Sequence, residues 1–162
     1  MTPTEPQRPG KSVLYTVAQR ARRDATVWTM VQAILAPAQF VVFLISLALV
    51  LRYLATGSGY DAATLSILAK TAILFLIMVT GAIWEKVVFG QYLFAPAFFW
   101  EDVFSFGVIA LHVAYVWALI TGVLSPAGLM VLALAAYAAY VINAGQFLWK
   151  LRQARLQAEV PA

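Results

Sequence analysis

From Ala25 to Leu51 the chain carries no charged residue, and from Val103 to Trp149 only His112 can take up charge near neutrality. The first stretch exceeds the roughly 20 residues that cross a hydrocarbon core as a helix. The second is too long for one crossing, and Leu124-Ser125-Pro126-Ala127-Gly128 breaks it into two. Between them, after the turn Thr56-Gly57-Ser58-Gly59-Tyr60-Asp61, another apolar run extends from about Ala62 to Trp84. The fold this predicts is all-α: an integral membrane four-helix bundle with a cytoplasmic amphipathic N-terminal helix. Residues 15–156 form a single four-span transmembrane domain in this reading, with a disordered leader at 1–14 and a C-terminal tail at 157–162.

Composition agrees, with 63% hydrophobic and only 11% charged residues. The absence of cysteine excludes disulfides, thiolate metal sites and a cysteine nucleophile, and one histidine is too few for a histidine-rich metal site. The net charge of +4 is no nucleic-acid footprint, because the basic residues sit beside apolar spans. Arg20, Arg22 and Arg23 before the first span, and Lys150, Arg152 and Arg155 after the last, place both termini in the cytoplasm. Anionic lipid is then a partner of both ends. The Gly59 and Pro126 turns would face the other side. Thr16 and Gln19 have capping-box spacing for a helix starting near Tyr15. Gln32, Gln39 and Ser46 recur every seven residues as one polar stripe, read first as helix–helix hydrogen bonding and second as ligand-orienting. Pro37 is expected to kink the first span, and Lys70 to snorkel to the nearer interface.

The chemistry concentrates in Trp84 to Ser105, the densest aromatic run, which holds three of the seven acidic residues. Glu85 closes the second span, Glu101 and Asp102 open the third, and the three converge at one mouth of the bundle. Glu101 and His112 fall on nearly one helical face, with Val108 and Tyr115. The acidic pair also reads as a complement to the helix dipole. His112 reads either as a hydrogen-bonded bundle histidine or as an axial ligand to the metal of a tetrapyrrole. On the last span Asn143, Gln146 and Lys150 form a second polar stripe.

Several motifs carry a resemblance: Gln19-Arg20-Ala21-Arg22-Arg23-Asp24 before Trp28, Trp84-Glu85-Lys86-Val87-Val88-Phe89-Gly90, Leu93-Phe94-Ala95-Pro96-Ala97-Phe98-Phe99-Trp100-Glu101-Asp102, and His112. From about Tyr15 to Leu156 the chain resembles the vinyl bacteriochlorophyllide hydratase family of bacteriochlorophyll biosynthesis. The resemblance implies water addition to the ring-A (C3) vinyl group of a chlorophyllide or bacteriochlorophyllide, giving a 1-hydroxyethyl group. It also implies an integral enzyme of the inner, photosynthetic membrane, with other pigment-biosynthesis enzymes as neighbours.

That reaction needs a proton at the terminal vinyl carbon and water at the inner one. No redox cofactor is needed, and magnesium arrives with the substrate, with His112 as its candidate axial ligand. Glu101 is the expected acid, Glu85 the alternative, and Asp102 the base or a helix cap. Tyr92, Phe98, Phe99 and Trp100 would stack on the macrocycle. Lys86, Arg22 and Arg23 would pair with the propionate that a chlorophyllide keeps free, and Asn143 would touch the substrate. The competing class is a non-catalytic membrane subunit that binds a pigment or quinone. It would need His112 and the aromatics but no carboxylates.

Overall fold

Long apolar runs become helices in a lipid environment because a helix satisfies every backbone group within the segment. The computed structural model describes residues 13–158, and every regular element among them is helical. Residues 1–12 of the expected leader and 159–162 of the expected tail fall outside these residues, and 157 and 158 belong to the last helix. Helix α1 (Val17–Ala25) starts on the expected capping box. Thr16 Oγ1 accepts from the Gln19 amide at 3.2 Å, and Gln19 Oε1 accepts from the Thr16 amide at 2.9 Å. After Thr26 follow α2 (Val27–Thr56), α3 (Tyr60–Phe89), α4 (Phe99–Thr121) and α5 (Pro126–Ala158). These four are each long and apolar enough to cross a membrane. Helix α2 runs on through Pro37.

Helix α3 outlasts its apolar pattern by more than a turn. It ends at Gly90, whose left-handed φ of 89° lets its N–H reach the Lys86 carbonyl at 3.0 Å. Glu85 therefore sits on a rigid helical turn and not in a loop.

The closest pairings are α2 with α3 and α4 with α5, so the bundle is two helical hairpins. They meet in a core of Phe43, Val50, Ile67, Val108, Tyr115, Met130 and Tyr137. A smaller cluster of Tyr15, Val88, Phe98 and Ala154 closes the end beside α1. Arg22 ties α1 to α3 by donating from Nε to the Val88 carbonyl at 3.0 Å.

The polar stripe of α2 faces inward. Gln32 Nε2 donates to Thr80 Oγ1 at 2.7 Å, and the Ser46 hydroxyl joins those of Ser66 and Tyr137. Lys70 departs from expectation. It is 0% exposed, with Nζ 3.4 Å from His112 Nε2 and 3.9 Å from the Tyr140 ring centroid. It does not reach the interface, because its position on α3 faces the other helices and aromatic faces receive its head group.

Candidate active site

Between the hairpins, in the half of the bundle nearer α1, lies a cavity of about 370 Å³. All four long helices line it: Gln32 from α2, Leu74 to Glu85 from α3, Asp102, Ser105 and Ile109 from α4, Tyr140 to Leu151 from α5. Tyr15 and Arg23 line it beside α1. Most of the wall is apolar, and its charged groups are Arg23, Glu85 and Asp102.

Glu85 and Asp102 are 5% and 3% exposed, and their carboxyl groups are close enough for each to feel the other's charge. The loop between α3 and α4 donates two successive backbone N–H groups to this pair. Phe94 N–H bonds Asp102 Oδ2 at 2.7 Å, and Ala95 N–H bonds Glu85 Oε2 at 3.2 Å. Phe94 has a φ of 59°, a left-handed conformation disfavoured for a bulky residue. Its ring is held against Phe106 at 5.5 Å and Phe99 at 5.7 Å between centroids. Two bare carboxylates so close repel, whereas one proton between them makes a hydrogen bond. Such a pair can give a proton and take one back.

The remaining polar wall is fixed by hydrogen bonds. Asn143 Nδ2 donates to Ser105 Oγ at 2.7 Å, and that hydroxyl donates to the Glu101 carbonyl at 2.9 Å. Trp84 Nε1 donates to Thr29 Oγ1 at 2.9 Å. The Arg23 guanidinium lies 4.9 Å from the Tyr15 ring centroid and pairs with Asp24 at 2.7 Å. Burial pushes the Tyr15 phenol above its ordinary value, so it stays a neutral hydroxyl.

The residues singled out from the sequence divide in two. Glu85, Asp102, Phe98, Asn143 and Arg23 meet at the cavity. The others lie outside its lining. Glu101 is turned toward α5, where its Oε2 pairs with Lys150 at 3.1 Å. His112 bonds the Val108 carbonyl through Nδ1 at 2.8 Å and faces Lys70 through Nε2, so both ring nitrogens are engaged. Tyr92 and Trp100 are exposed and Phe99 is on the outer surface. Lys86 donates to the Gly90 carbonyl at 2.8 Å and lies over Tyr92, and Arg22 is held by Val88. Ser105, Tyr15 and Gly81 also line it, and no pattern in the sequence marks them as site residues. Gln32 stands out in the sequence as part of the polar stripe, whose second reading is ligand-orienting.

The class this defines is an all-helical protein whose four long helices are apolar enough to cross a membrane and enclose an apolar cavity with a buried carboxyl pair. Residues 15–153 match the family model described as 2-vinyl bacteriochlorophyllide hydratase, and the chain belongs to that family. It is 73% identical to the 2-vinyl bacteriochlorophyllide hydratase of Rhodobacter capsulatus over 157 residues, 96% of this chain and 91% of the relative. It is 75% identical to the protein of the same name from Cereibacter sphaeroides over 160 residues, 98% of each chain. No solved structure matches.

Proposed function

We propose that this protein adds water across the vinyl group of a bacteriochlorophyllide and that the Glu85–Asp102 pair supplies the proton. The observation that carries the reading is this carboxyl pair on the wall of an apolar cavity in a chain of the hydratase family. The pair protonates the terminal vinyl carbon, turning CH₂ into CH₃. The positive charge left on the inner carbon is delocalised into the macrocycle. Water adds at that carbon and returns one proton to the pair, so the protein ends as it began. No redox cofactor enters the balance, and magnesium is part of the substrate. Phe98, stacked on Phe147 at 5.8 Å, gives the ring edge an aromatic wall. Arg23 receives the free propionate, exchanging Asp24 for it. His112 holds Lys70 in this reading instead of ligating magnesium.

The basic residues at both ends support a multi-pass protein with cytoplasmic termini, α1 lying amphipathically at that face and the cavity opening toward it. Reporter fusions at Gly59 and Pro126 would then read periplasmic, and a cytoplasmic signal at either reverses the orientation. The activity is tested with purified protein in lipid discs, vinyl substrate and ¹⁸O-labelled water. One labelled oxygen should enter the product as a 1-hydroxyethyl group. Pigment that binds without gaining oxygen would make this a binding subunit.

A further inference from the structure

Gln32 is half-buried on the cavity wall, and its hydrogen bonding orients its amide. The Thr80 hydroxyl has one hydrogen, which it donates to the Leu76 carbonyl at 2.8 Å. Toward Gln32 it can therefore only accept, so the group facing it at 2.7 Å is the Gln32 NH₂. The carbonyl oxygen Oε1 is thereby turned away from Thr80. No donor among the described residues reaches it. It lies over Gly81, where an added Cβ would stand 3.7 Å from it. Gly81 and Glu85 are four residues apart on α3, so they share a face, with side-chain origins about 5–6 Å apart. A hydrogen-bond acceptor held in place through Thr80 therefore stands about one helical turn from the acid pair, in the same cavity.

Vinyl hydration requires an acid and a held water beside the same double bond. The acid must approach one carbon of the double bond and the water oxygen its neighbour, each at about 3 Å. A carbonyl cannot deprotonate water, but it can hold one of its hydrogens. We infer that Gln32 Oε1 positions the attacking water, fixing which face of the cation it meets. This rests on the hydratase reading above and adds a water-positioning residue to it. Water gives one hydrogen bond to Gln32 and the other to the carboxyl pair. Its oxygen forms the new C–O bond, and the proton leaving it goes to the pair, never to Gln32.

A residue that merely supports the fold does not set the handedness of the alcohol. The test is therefore the epimer ratio of the 1-hydroxyethyl product, measured with kcat and KM on purified enzyme in lipid discs. The parent should make one epimer predominantly. Gln32→Leu should lower kcat by about ten- to a hundredfold, leave KM nearly unchanged and bring the epimers toward equal amounts. Gly81→Ala places a methyl beside Oε1 and should shift the ratio the same way but less, covering the case in which Gln32→Leu fails to fold. Gln39→Leu, one heptad along α2, should keep the parental ratio. The inference is overturned if the parent makes both epimers equally, or if Gln32→Leu and Gly81→Ala both keep its ratio. A parent that hydrates nothing overturns the functional reading itself, and this inference with it.

Discussion

In the half of the bundle away from α1, Lys70 and His112 are buried at 0% and 1% exposure, surrounded by Tyr137, Tyr140 and the main core. In the half nearer α1, Glu85 and Asp102 are almost as buried, at 5% and 3%. Both pairs are ionisable groups buried where charge is expensive. The surroundings separate them. His112 has a partner on each nitrogen, and neither residue lines the cavity. The carboxyl pair borders a cavity of about 370 Å³ and is held by two N–H donors from the loop between α3 and α4. Burial alone thus marks a candidate, and open space beside it distinguishes chemistry from packing.

The sharpest way to break this contrast is Glu85→Gln. It keeps the shape of the pair and removes its proton, so turnover should fall by about 10²–10⁴-fold. Pigment binding, followed by absorbance titration in the same membranes, should persist. Undiminished turnover would move the acid out of the cavity.

Arg23→Gln should have a smaller and selective effect. A hydrogen bond to a charged group is worth about 1.5–3 kcal/mol, so kcat/KM for the free-acid pigment should drop by about tenfold or more. The corresponding ester should be nearly unaffected. Equal losses for acid and ester would reduce Arg23 to a topology and lipid contact.

In the packed half, His112→Phe strands the Lys70 head group and should destabilise the fold by about 1–3 kcal/mol, read as a lower unfolding temperature in detergent. Turnover per folded molecule and affinity for the pigment should stay at the parental level. Weaker pigment binding would restore His112 as a magnesium ligand.

The sequence reveals the four long helices because uncharged runs of such length have one economical arrangement. It reveals the approximate site because acidic residues stand out in an apolar chain. It does not reveal which carboxyl group faces the cavity. Glu101 and Asp102 are neighbours about 100° apart around α4. The cavity stripe is Asp102, Ser105 and Ile109, whereas Glu101, Val108, His112 and Tyr115 form the packing stripe. The rotation of α4 that separates them is set by contacts such as Lys150 with Glu101, which no local pattern encodes. Lys70 departs from the expected snorkelling for a related reason: a long stem can snorkel only if its face meets lipid. The exposed Tyr92, Phe99 and Trp100 show the same limit, since an aromatic run does not say which rings turn outward.

Those two adjacent carboxyl groups offer the most direct measurement of the central claim. Asp102→Asn and Glu101→Gln differ by one position on one helix and make the same chemical change. Hydration should be assayed side by side in membranes containing matched amounts of folded protein, with vinyl and hydroxyethyl pigments separated chromatographically. Glu101→Gln removes a partly exposed ion pair worth about 1 kcal/mol or less and should turn over like the parent. Asp102→Asn breaks the cavity pair and should lose about 10²–10⁴-fold. An active Asp102→Asn beside a dead Glu101→Gln would contradict the account.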